Sequence, residues 1–159
     1  MILRDLLDNT VIFNFRLVKQ AELLFQLWPG KVCTTEERMN EYRMGLLAVG
    51  VPREIWKALP IVTLTEVEKA WMVNLPPYLG AGEATCLATA LHRKGVFASD
   101  DRKARTFVQS LNIPVIGTVG ILLRFVEGSL LSIKEVQGLL DQMIAARYRS
   151  PIQNLSEFS

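Results

Sequence analysis

The chain has 159 residues, half of them apolar, with 21% charged residues and a mean hydropathy of +0.22. That is enough apolar material for one domain with its own core and too little charge for a disordered chain. A net charge of +2 makes the chain as a whole neither strongly basic nor strongly acidic, and no apolar run approaches the roughly 18–20 residues of a membrane span.

In chain order, Ile2 to Leu7 reads as a short strand broken by Arg4-Asp5 and ending at Asp8-Asn9-Thr10. That early charged pair stands where a signal peptide would stay apolar, so a cytoplasmic chain is expected. Apolar residues then recur at helical spacing from Val11 to Leu27, until Trp28-Pro29-Gly30 breaks the helix. Lys31 to Cys33 predicts a second strand, and Thr34 or Thr35 caps a helix through Met39, Glu41, Met44 and Leu47. A short helix is expected over 52–59, then a strand over Ile61–Thr65 and a helix capped by Thr65 and running to about Val73. Pro76-Pro77 stops that run, and Gly80-Ala81-Gly82 leads into a helix of small and apolar residues that ends at Gly95.

Val96 to Ser99 is a strand running straight into Asp100-Asp101. A helix over 102–111, a strand over 114–117, a helix from Thr118 to about Glu127 and one from Ser132 to about Arg147 follow. Residues 1–148 form one domain on this reading, and 149–159 a loosely held polar tail.

Short apolar strands alternating with amphipathic helices predict a three-layer α/β/α sandwich around a central, mainly parallel sheet. Ligands of such sheets sit beyond the carboxyl ends of the strands, where Asp8 and Asp100–Asp101 both fall. One such acid is an ordinary turn signal. Two on neighbouring strands repel unless a cation lies between them, and an oxygen-only cluster suits Mg²⁺ or Mn²⁺. By the same repulsion, neutralising Asp8 is expected to stabilise the metal-free protein.

Glu83 is the one charge on a helix face otherwise built for burial, where it is either a dipole-favoured first-turn acid or part of the same cluster. His92 is the single histidine, which excludes a histidine-rich metal site. Cys33 and Cys86, with no C-x-x-C spacing, read as buried thiols. Residues 91–159 carry nine Lys/Arg against six Asp/Glu, a modest surplus compatible with phosphate contact.

Several stretches together resemble PIN domains. Leu6-Leu7-Asp8-Asn9-Thr10 resembles their opening h-h-D-[ST]-[NS], and Glu41 their second acid, with Glu36 and Glu37 as rivals. Gly82-Glu83-Ala84 is similar to their G-E-A segment. Ser99-Asp100-Asp101-Arg102-Lys103-Ala104-Arg105 is similar to a D-D-x-[KR]-A-R version of their T-x-D region, and Ile113 to Leu123 to the I-P-V-x-G-T-x-G-h-L continuation. Asn9-Thr10 departs from the usual order of residues after the first Asp.

The resemblance implies a metal-dependent nuclease, an endoribonuclease of the VapC-like toxin branch. Asp8, Glu41, Glu83 and Asp101 would be catalytic, and Asp8, Glu83, Asp100 and Asp101 would ligate Mg²⁺ or Mn²⁺. Thr10 and Ser99 would bond the carboxylates or the phosphate, and Arg102, Lys103 and Arg105 would meet an RNA backbone. An antitoxin partner is implied too. A homodimer is expected from the same resemblance and from the apolar segments around Trp28 and Trp56. The competing expectation is a PIN-like binding module without catalysis.

Overall fold

The computed structural model describes residues 4–16, 22–48, 56 and 58–158. Five parallel strands form the sheet: β1 (Asp5–Leu7), β2 (Val32–Thr35), β3 (Ile61–Val62), β4 (Phe97–Ala98) and β5 (Val115–Ile116). Their spatial order is β3-β2-β1-β4-β5. The chain therefore winds outward from β1 in one direction, then returns to pair β4 against β1 and continues the other way. Leu6 and Leu7 stand opposite Phe97 and Ala98 in that central pairing. The crevice beyond β1 and β4 is the switch point at which such sheets bind ligands.

Alternation along the strands builds two cores, one on each face. Leu6, Cys33 and Phe97 point to one side, where they meet Cys86, Leu87 and Ala90 of α5 (Ala81–Arg93) and Ala104 and Val108 of α6 (Arg102–Ser110). Their neighbours Leu7, Val32 and Ala98 point to the other. There they pack with α1 (Asn9–Phe15), α2 (Leu23–Leu27), α3 (Glu36–Ala48), α7 (Thr118–Glu127) and α8 (Ile133–Ala145). The remaining helix, α4 (Glu66–Met72), carries a reciprocal Thr65–Glu68 capping box. The result is the three-layer sandwich expected. No helix among the described residues is long and apolar enough to cross a membrane.

Several expectations change in detail. The helix expected over 11–27 is described as the separate α1 and α2, and residues 17–21 lie outside the described residues. Most of the helix expected over 52–59 lies outside them as well, with a turn at 58–59. Asp5, the polar residue inside β1, is buried because its Oδ1 accepts the backbone N–H of Val96, 3.1 Å away.

Nor is the tail loose. Residues 155–158 form a 3-10 helix, Leu155 is fully buried against α8, and the Gln137 side chain holds both the Leu155 N–H and the Gln153 carbonyl. One apolar side chain and one amide suffice to pin a polar segment. Trp56 is buried in the core, so it offers no surface to a second copy. Both cysteines are free and buried, with burial pushing Cys33 up to about 12 and Cys86 up to about 11, which leaves them inert.

Candidate active site

Asp8 follows β1 in the N-cap position of α1 but does not cap it. Its carboxylate is buried, accepting from the Ser99 hydroxyl at 2.6 Å through Oδ2 and facing Arg38 Nη2 at 2.5 Å through Oδ1. Burial raises the pKa of Asp8, and Arg38 and Ser99 offset that only in part. Ser99, at the end of β4, also accepts the Asp101 N–H at 3.1 Å. One hydroxyl thus ties the two central strand ends together. Thr10 accepts the Asp100 N–H at 2.8 Å. Of the two hydroxyls, only that of Ser99, which is fully buried, reaches a carboxylate; that of Thr10 meets the Asp100 N–H and lies 3.4 Å from the Ser99 hydroxyl.

The adjacent aspartates part company. Asp101 caps α6, accepting the Ala104 N–H at 3.1 Å, and stays half-buried within electrostatic reach of Asp8 and Glu83. The carboxylate of Asp100 turns the other way. It accepts from Asn14 Nδ2 (3.1 Å), the Thr118 N–H (2.9 Å), the Thr118 hydroxyl (2.5 Å) and the Tyr148 hydroxyl (3.2 Å). Four neutral donors leave this carboxylate little capacity for a metal ion. Gly117 keeps room for it, since a Cβ there would stand 2.7 Å from Asp100 Oδ1.

Glu83 opens α5 with its side chain mostly covered. Burial first, then the charges of Asp8 and Asp101, push it up to about 7. Glu41, on α3, accepts the Gly82 N–H at 3.0 Å and pairs with Arg38 Nη1 at 2.5 Å. Gly82 allows this approach: a Cβ would lie 2.6 Å from Glu41 Oε2 and 2.9 Å from Arg38 Nε. The rival acids Glu36 and Glu37 are exposed on the first turn of α3.

Arg38 is the functional residue that the sequence reading passed over. Its buried guanidinium reaches Asp8 and Glu41 at 2.5 Å and Glu83 at 3.8 Å. Burial opposes its charge, but Asp8 foremost, with Glu41 and Glu83 behind, raises its pKa. Its spacing of three from Glu41 on one helix face was the available signal. As they stand, no three His, Cys, Asp or Glu groups among the described residues share a metal-sized gap. The donor chemistry nonetheless fits a hard divalent ion. Asp8, Glu41, Glu83 and Asp101 outnumber one guanidinium, all donors are oxygen, and Asp8 Oδ1 is buried without a hydrogen bond among the described residues.

Residues 6–158 match the family model described as DUF3368: PIN domain. The chain belongs to the PIN-domain family. No curated protein and no solved structure gives a match. PIN domains are generally nucleases that act on nucleic acid and use divalent metals.

Beside the carboxylates of this PIN domain, on the Asp100 side, lies a cavity of about 700 Å³ lined by Arg102, Arg105, Gly117, Tyr148 and Arg149. Arg105 is partly engaged, donating to the Ser99 carbonyl at 3.1 Å, whereas Arg102 and Arg149 are exposed. Lys103 lies apart from it, beside Tyr78 and Phe107.

Proposed function

We propose that this PIN domain is a Mg²⁺- or Mn²⁺-dependent endoribonuclease in which Asp8, Glu83 and Asp101 hold the ion and Glu41 supports them. The observation that carries the reading is surplus negative charge: three carboxylates share one guanidinium, Asp101 lies within electrostatic reach of two of them, and Glu83 is pushed up to about 7. When bound, the ion supplies Lewis acidity, making water nucleophilic at neutral pH and neutralising charge on the phosphodiester. Ser99 holds Asp8 and the Asp101 backbone in register. Asp100, expected as a fourth ligand, belongs to the scaffold. Arg102, Arg105 and Arg149 receive the RNA backbone along their cavity, and phosphate contacts of this kind position a substrate without reading its sequence.

The D-D-x-K-A-R stretch at 100–105 supports extending the reading to a cytoplasmic toxin restrained by an antitoxin protein. A homodimer loses the support of Trp56, which is buried, and keeps that of the family resemblance and of the partly exposed segment before Trp28.

Incubation of single-stranded RNA with the protein tests the reading. Cleavage to 5′-phosphate products is expected in Mn²⁺ and none in chelator. Glu83→Gln should lower the rate by about 100-fold or more. A second reading, an inactive module that binds RNA, is favoured by the guanidinium already seated among the acids. RNA binding with neither cleavage nor metal uptake would establish it.

A further inference from the structure

We propose that Arg38 and a divalent cation are alternative occupants of the Asp8–Glu83 site, so that metal loading displaces the guanidinium. The inference rests on the metal-nuclease reading above and adds a built-in competitor to it.

Distance is the first ground. Arg38 Nη2 stands 2.5 Å from Asp8 Oδ1. A Mg²⁺ or Mn²⁺ ion on that oxygen would lie about 2.0–2.2 Å from it. Nitrogen and ion would crowd one another at a single buried atom. Charge is the second ground. The guanidinium is buried beside three carboxylates, at 2.5 Å from Asp8 and Glu41 and 3.8 Å from Glu83. A dication placed among the same oxygens would repel it at close range in a low-dielectric pocket.

The third ground is the quality of the seat. Arg38 Nε and Nη2 are buried without a hydrogen-bond partner among the described residues, and Asp8 Oδ1 likewise, because the short Nη2–Oδ1 approach lacks hydrogen-bond angles. Arginine normally satisfies a carboxylate through parallel N–H bonds. This guanidinium neutralises charge but leaves donors unmet, which is what an exchangeable occupant looks like. Glu41 supplies the way out. It is half-exposed and already bonded to Nη1, so the guanidinium can turn toward solvent while keeping that partner.

Calorimetric Mn²⁺ titration of the full chain, wild type against Arg38→Met, reads the competition directly. The variant should bind Mn²⁺ about tenfold tighter or more, whereas Arg38→Lys, which keeps a cation, should stay near the wild type. Equal or weaker binding by Arg38→Met would overturn the inference and leave the metal-nuclease reading standing. Absence of Mn²⁺ uptake by both proteins would overturn both. Should Arg38→Met not fold, the wild type decides alone. Its Arg38 Nε–H resonance should shift in step with Mg²⁺ saturation, and a resonance unmoved at saturation would end the proposal.

Discussion

Two arginines of this molecule are ion-paired against buried carboxylates, and they differ in what surrounds the pair. Arg93 meets Glu68 through Nε at 3.0 Å and Nη2 at 3.1 Å, and Nη2 also reaches the Thr63 carbonyl. Glu68 accepts the Thr65 N–H as well, completing the cap of α4. Although burial works against its charge, bonds from Arg93 and Thr65 win, and its pKa is lowered. At the other site one guanidinium faces Asp8, Glu41 and Glu83, and the pKa values of Asp8 and Glu83 are raised. The first pair is balanced, one guanidinium against one carboxylate. The second has acids to spare, and unmet charge is what distinguishes a site from a staple.

Breaking the balanced pair should have the largest effect. Glu68→Ala strands the Arg93 charge and removes the side-chain half of the capping box, so urea unfolding should show a loss of about 3–5 kcal/mol. Mn²⁺ uptake should be unchanged. A variant that lost metal but not stability would reverse the roles assigned to the two arginines.

Acidity separates the sites next. Glu83 releases its proton at 4.5 in the unfolded chain and near 7 in the folded, metal-free protein. Between those values the folded state holds a proton that the unfolded state has lost. Stability in chelator therefore falls as pH rises from about 4.5 through 7, by on the order of 3 kcal/mol. Glu68 acts oppositely: its lowered pKa contributes stability above 4.5 that is lost as the pH drops through the folded value. Thermal midpoints from pH 4 to 8 should show the fall, and Glu83→Gln should flatten it.

Asp8 provides a smaller contrast. Burial raises the pKa of Asp8 and Arg38, paired with it at 2.5 Å, offsets that only in part, so Asp8→Asn should stabilise the metal-free protein as like-charge repulsion predicts. The gain should be smaller than for Glu83→Gln, which lies farther from Arg38. A midpoint in chelator that falls for Asp8→Asn would show that the ion pair with Arg38 outweighs burial. The smallest effect belongs to the scaffold. Tyr148→Phe removes one of four donors to Asp100 and should cost about 1 kcal/mol, with Mn²⁺ uptake unaltered by calorimetry.

Much of this was legible without coordinates. Strand and helix periods alternate strictly enough to require a parallel sheet, and acids directly after Leu7 and Ser99 then had to lie at adjacent strand ends. Glu83 stood out as a lone charge on a face built for burial, and Thr65 and Ser132 as caps. These signals are local, carried by neighbours a few residues apart. Which member of Asp100–Asp101 faces the cluster was not local. It depends on Thr118 and Tyr148, which are 18 and 48 residues away in sequence, turning Asp100 aside. Arg38 escaped notice for the same reason: its i+3 pairing with Glu41 is common on exposed helices. Only the packing of α3 against α1 and α5 buries it beside Asp8 and Glu83. The sequence by itself determined the sheet, its order of elements and the end at which the acids gather. The tertiary structure alone decided how their charges are shared, because charge in a buried site depends on distances that no periodicity encodes.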